Sequence, residues 1–237
     1  MKKKNVENVN KDKRKGKVTF KSYIKDFLIF LDKYMLKTIG ILFVISLLLI
    51  AISIKPITTE VLLQECEGAC KDSATIISEY GSKMQVLLVT AVAGIVPYIF
   101  APAVGFIGYI LSEVYSFGYI IKGYGYAGGI LLGIVPMLLN ILTICIVTAL
   151  GFYICRTVTV GYKISSVKNM NFTNFRIKFY EVLQNEKKVK EFTKKRDAKL
   201  EKLQAKKEKI NYLQIFNTGI VIAVIQFVSV VIQKLIV

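Results

Sequence analysis

Glu113 is the residue whose chemistry most needs explaining. It is the one acid in the apolar stretch Ala103–Ile121, close to its middle. A charged acid at the centre of a bilayer costs about 2.5–3.5 kcal/mol on insertion scales, so it normally faces the protein interior with a partner or a proton. Two roles follow: proton or ion handling, or a hydrogen-bonded carboxyl that ties helices together. Asn140, Thr143 and Tyr109 are the candidate partners across helices. Lys122 lies about 13 Å further along a straight helix, too far for direct contact. Cys66 and Cys70 form a second constellation, ECEGAC. A C-x3-C pair with no second pair is no zinc signature, and it reads either as an outward disulfide or as two separate thiols. Cys145 and Cys155 read as small packing residues. The chain has no His and no Trp, which removes His-based triads, His metal sites and imidazole switches. No Ser has a His or an obvious Lys base, no carboxylates pair within a span, and YGYAGG opens an apolar segment rather than following a strand. The expectation is a protein that is not an enzyme, with no cofactor and no metal.

The elements that must position Glu113 follow from how charge is distributed. The 237 residues are 54% hydrophobic, with mean hydropathy +0.50 and a net charge of +17. Residues 1–37 hold 12 Lys/Arg against 4 Asp/Glu, net +8, and residues 156–211 hold 16 against 6, net +10. The stretch 55–83 holds 3 against 5, net −2. Between these lie the apolar runs Thr38–Ile54, Met84–Phe100, Ala103–Ile121, Ala127–Cys155 and Ile215–Ile232. Each reaches the roughly 17–25 residues that a membrane-crossing helix needs. The positive-inside rule puts both basic segments in the cytoplasm, so an even number of crossings separates them. The predicted fold is therefore an all-α polytopic bundle of five transmembrane helices, N-terminus in and C-terminus out, in a bacterial plasma membrane.

The predicted organisation has a basic tail at 1–21, without periodicity and read as disordered, and an amphipathic helix at 22–37. The latter either lies at the inner surface or packs on the bundle. A four-span membrane domain occupies 38–163, with an outer loop at 55–83. A basic cytoplasmic helical segment covers 164–211, and the fifth span 212–237. The run 127–155 is too long for one straight crossing. Pro136 removes a backbone hydrogen bond, so the expectation is a break there, with 127–135 a half-helix dipping in from outside. Asn140 would satisfy part of the freed backbone. Gly125, Gly129 and Gly133, at i, i+4 and i+8, form a glycine face for close packing. The Lys-rich 181–209 reads as a solvated helix or one held on anionic inner-leaflet lipid. Without a reader fold or interleaved aromatics, nucleic acid is excluded as a partner. Self-association into a homo-oligomer is left open.

The segment GGILLGIVPMLLNILTICIVTALGFYICR, residues 128–156, carries a resemblance. With a basic start, one span, an outer loop, a hairpin of spans, a basic stretch and a terminal span, the chain resembles the stage II sporulation protein M family of bacterial membrane proteins. Gly133 and Pro136 match the family pattern. Met137 stands where many members have His, and Asn140 near a Glu position, so no role of that His or Glu transfers. Glu113 has no counterpart in the motif. The resemblance implies a non-catalytic scaffold that anchors peptidoglycan-remodelling partners, stage II sporulation proteins D and P, during forespore engulfment at a septal or engulfing membrane. The competing expectation is a membrane subunit of a transport system, ABC-type or proton-linked, using the broken helix and Glu113. A pore-forming or stress-related membrane protein is a third.

Overall fold

The computed structural model describes residues 20–63, 76–96, 101–169, 172–207 and 210–236. The basic tail before residue 20, Cys66 and Cys70 lie outside them. Among the described residues every regular element is a helix: α1 (Phe20–Leu31), a π-helical turn (Asp32–Leu36), α2 (Lys37–Leu63), α3 (Ile76–Val92) with a 3-10 turn (Ala93–Ile95), α4 (Ala101–Asn169), α5 (Phe172–Val182), α6 (Glu186–Ala205) and α7 (Tyr212–Ile236). Three helical runs are long and apolar enough to cross a membrane: Ser22–Leu63, Pro102–Val182 and Tyr212–Leu235.

The bundle sets a group of buried polar side chains within an apolar core and leaves an apolar outer surface. Ile41, Val44, Ile45, Leu48 and Ile52 recur at helical spacing along α2 and are exposed, whereas Ser46, Thr90, Glu113, Asn140, Thr143, Gln226 and Ser229 are buried. A water-soluble bundle would put polar side chains on that outer face, because exposed apolar surface is costly in water. In hydrocarbon the unpaired polar group carries the cost.

α4 turns at Gly125 into two antiparallel arms, 101–124 and 126–169. Gly125 has φ 72° and ψ 168°, a region that is essentially glycine-only and costs other residues about 1–3 kcal/mol. The arms close on glycine. A Cβ on Gly129 would sit 2.6 Å from the Ile121 Cα, and one on Gly133 would sit 2.8 Å from the Phe117 ring. This corrects the break expected at Pro136. The helix runs through Pro136 with helical dihedrals, and Gly125 carries the one departure within α4. Proline's fixed φ suits a helix, and its lost hydrogen bond is tolerated where the backbone is buried in protein. The half-helix 127–135 is accordingly the first part of one long arm.

The stretch expected as an outer loop, 55–83, is helical at both ends. α2 continues through Lys55 and Pro56 to Leu63, and α3 begins at Ile76. α3 thus starts eight residues before the apolar run that signalled it, and brings Glu79 and Lys83 into the bundle. It ends before Val96, which is extended (φ −79°, ψ 113°). Val96 precedes Pro97, and a residue before proline is driven out of the helical region.

The π-helical turn carries α1 into α2. Phe30 and Met35 are buried, and Phe30, Tyr34 and Tyr153 form an aromatic cluster with centroids 5.2–5.4 Å apart. Leu28, Ile29 and Leu36 remain exposed. One side of this amphipathic segment packs on the bundle, and the other is left open.

The basic segment 164–211 is not one helix. α4 ends at Asn169, and the Asn174 side-chain amide donates to the free carbonyls of Val167 and Lys168. α5 then turns back into α6 through Gln184, a non-glycine residue with φ 51°. Tyr180 stacks on Phe192 at 5.6 Å, and Asn185 caps α6 by accepting from the Lys188 backbone N–H.

Candidate functional site

Four helical faces converge around Glu113, each presenting polar groups one turn apart. Residues at i and i+4 share a helix face. α3 supplies Glu79 and Lys83, the first arm of α4 supplies Tyr109 and Glu113, and the second arm supplies Pro136 and Asn140. α7 supplies Gln226, Ser229 and Gln233, at i, i+3 and i+7.

The contacts form one connected network. Asn140 Nδ2 donates to Glu113 Oε2 at 2.6 Å. The other carboxylate oxygen, Oε1, lies 3.4 Å from Lys83 Nζ. Lys83 Nζ also donates to Gln233 Oε1 at 3.2 Å and lies 3.6 Å from Glu79 Oε1. Glu79 Oε2 is paired with Lys234 Nζ at 3.2 Å. On the other side, Asn140 Oδ1 accepts from Ser229 Oγ at 2.6 Å and from Gln226 Nε2 at 3.2 Å. Tyr109 donates to Gln226 Oε1 at 3.3 Å, and Ser229 Oγ also reaches the Pro136 carbonyl at 3.1 Å.

The electrostatics are balanced: the carboxyl groups of Glu79 and Glu113 face the amines of Lys83 and Lys234. Removing such groups from water costs several kcal/mol per ion, and mutual attraction offsets this only where the remaining lone pairs and protons also find partners. Asn140 supplies that completion for Glu113 and Gln233 for Lys83, whereas Glu79 Oε2 is buried with the Lys234 ion pair and no hydrogen bond. The file runs from Glu79 and Lys234, near one end of the bundle, to Tyr109 and Gln226 deeper in it. Beyond that depth the fully buried Ile144 and Val147 follow.

The void beside Glu113 is about 10 Å³ and is lined in part by Ser116, Gly133, Pro136, Asn140 and Gln233. That is room for at most about one water. Among the described residues no group of three or more His, Cys, Asp or Glu could hold a metal ion.

Of the residues singled out in the sequence, Glu113, Pro136, Asn140 and Gly133 line this one void. Gly125 and Gly129 shape the hairpin above it. Of the other partners considered for Glu113, Tyr109 joins through Gln226, whereas Thr143 donates to its own helix at Leu139 O. Lys122 donates to Val61 O at 2.9 Å and so fastens α2 to the first arm of α4. Cys145 is buried 3.5 Å from Ser46 Oγ. Sequence reasoning missed Glu79, Lys83, Gln226, Ser229, Gln233 and Lys234. The i, i+3, i+7 spacing of the three polar α7 residues was the available signal.

Among the described residues, fold and site define a helical bundle with apolar helices of membrane-crossing length and a buried, charge-balanced polar cluster. No protein-family model, no curated protein and no solved structure matches it.

Proposed function

We propose that this chain is an integral membrane scaffold without chemistry of its own. Five helices cross the bilayer: α2, α3, the two arms of α4, and α7. The N-terminus and the α5–α6 arm are cytoplasmic, and the C-terminus is outside. The observation that carries this reading is the closed network around Glu113. It consumes the intramembrane charges in mutual contacts and leaves a void too small for a solute. The topology draws support from the charge segregation and from which helix ends lie together. The Glu79–Lys234 pair gathers the start of α3 and the end of α7 at one end of the bundle. Tyr23, whose hydroxyl donates to Asn217, and the Phe30–Tyr34–Tyr153 cluster gather the opposite end, beside the basic arm. Single cysteines introduced into a cysteine-free background test it. Leu235→Cys should label from outside intact cells, and Lys206→Cys only after permeabilisation; the reverse pattern overturns the topology.

The specific scaffold role we propose is the one that the family resemblance of residues 128–156 implies: anchoring stage II sporulation proteins D and P at the engulfing septum of a sporulating cell. A fluorescent fusion imaged through the growth cycle tests it. Enrichment at a division or engulfment septum, with stalled engulfment in the deletion strain, is expected. Uniform envelope signal and normal engulfment would reject the role.

A second reading, a transport subunit, is favoured by one observation: the polar file reaches from an end of the bundle inward to Glu113. It predicts that Glu113→Gln abolishes flux while the protein still accumulates. Unchanged activity in that variant removes it.

A further inference from the structure

The arm formed by α5, α6 and the end of α4 carries an apolar stripe that the bundle leaves uncovered. Phe172, Phe175, Phe179 and Val182 stand at i, i+3, i+7 and i+10 on α5, and are 64%, 65%, 51% and 82% exposed. The opposite face of α5 is the packed one. Ile177 is buried there, and Tyr180 stacks on Phe192 of α6. α5 and α6 therefore make an antiparallel pair whose third side is open and aromatic. Arg176 and Lys178 flank the stripe, one on each side. The Arg176 guanidinium lies 4.5 Å over the Phe172 ring.

We infer that this stripe is a docking surface for an acidic amphipathic helix of a partner protein. Such a helix would lay an i, i+3, i+4, i+7 apolar face along the phenylalanines and place carboxylates against Arg176 and Lys178. Two other occupants fit less well. From Arg156 to Asn169 the second arm of α4 extends about 20 Å past Cys155, and α5 starts only there, which sets the stripe apart from the segments proposed to cross the bilayer. A second copy would bring together two segments of net +10, and like charge across an interface is unfavourable.

The inference rests on the proposed function only in needing the arm to lie outside the bilayer; it does not need the sporulation role. The test uses the full chain in discs of zwitterionic lipid and a fluorescent peptide helix with leucines at i, i+3, i+4 and i+7 and flanking glutamates. Fluorescence anisotropy should show saturable binding that weakens with salt and is at least about tenfold tighter than for the same peptide flanked by lysines. Phe175→Ser with Phe179→Ser, both at exposed positions, should reduce binding about tenfold. Arg176→Glu with Lys178→Glu should reverse the preference toward the lysine-flanked peptide. Equal binding of a scrambled peptide, or indifference to the Phe and charge-reversal variants, would overturn the proposal. So would stripe-dependent dimerisation, or stripe-dependent binding of the chain to added anionic vesicles. The peptide readout does not depend on where the protein localises in cells, so its failure and that of the septal role are separable.

Discussion

Asn140 Nδ2 donates to Glu113 Oε2 at 2.6 Å across the hairpin that turns at Gly125, joining residues 27 apart in the chain. The amide has a donor for the carboxylate and an acceptor for α7, so one side chain links both arms of α4 to the terminal helix. A carboxylate at Asn140 could accept from Ser229 and Gln226 but would face Glu113 with like charge.

Asn140 is therefore expected to be the most sensitive position in the network. Asn140→Leu leaves Glu113 Oε2 and Gln226 Nε2 without their Asn140 partner, at about 1–3 kcal/mol for each group left buried and unsatisfied, while the Ser229 hydroxyl keeps the Pro136 carbonyl. Ser229→Ala removes one donor that also has the Pro136 carbonyl as a partner, and should cost about 1 kcal/mol. Thermal unfolding in detergent should rank Asn140→Asp and Asn140→Leu well below Ser229→Ala. Equal melting temperatures would mean that Asn140 is not the hub.

The Lys83–Glu113 pair should behave as a unit. Glu113→Gln keeps an acceptor for Asn140 but leaves the Lys83 charge to Glu79 and Gln233. Lys83→Met leaves the Glu113 charge to Asn140 alone. Breaking a buried pair from one side costs more than replacing both partners. In a double-mutant cycle, Lys83→Met with Glu113→Gln should be less destabilised than the sum of the single variants by about 1 kcal/mol or more. Simple additivity would reduce the 3.4 Å contact to coincidence.

Some of this was legible in the sequence, for definite physical reasons. Segregation of charge from apolar runs marks helices of crossing length, and Gly129 and Gly133 signal close approach because they share a face. The break was misplaced because proline is the stronger local signal, whereas Gly125 is needed for a left-handed turn that only tertiary packing selects. α3 was misplaced for a related reason. Glu79 and Lys83 look like loop residues in a charge tally, and their burial depends on Glu113 and Lys234, distant in the chain. The exposed stripe of α5 could not be told from a core face, because periodicity reports that a helix has two sides, not which of them is covered.

On the α5–α6 arm, the hydrogen bond from Lys195 and then its charge hold the Glu191 carboxyl below the usual carboxylate range. A carboxyl with a lowered folded pKa adds stability that is present above its unfolded pKa and lost as pH falls through the folded value. Lys195→Met should move the Glu191 midpoint upward, toward the ordinary range, in a titration followed by the carboxyl carbon resonance. An unmoved midpoint would assign the shift to the more distant lysines, Lys187 and Lys188.

The glycines give the sharpest test of the hairpin, because their surroundings differ while their sequence contexts look alike. At Gly129 a methyl group would meet the Ile121 backbone at 2.6 Å, and at Gly94 it would meet the Gly151 carbonyl oxygen at 2.1 Å. Backbone on both sides cannot yield without parting the helices, so Gly129→Ala and Gly94→Ala should each cost about 1–3 kcal/mol or more. At Gly133 the obstacle is the Phe117 ring, which can rotate, so Gly133→Ala should cost less. Gly125 has open space around it but φ of 72°, so Gly125→Ala should cost about 1–3 kcal/mol through backbone strain alone. Gly161 and Gly219 are helical with nothing within 4 Å, and alanine there should stabilise by up to about 1 kcal/mol through helix propensity. Unfolding midpoints for the six variants should fall in that order. If Gly129→Ala proved as benign as Gly161→Ala, the two arms of α4 would not be in contact at Ile121, and the alignment that brings Asn140 to Glu113 would fail with them.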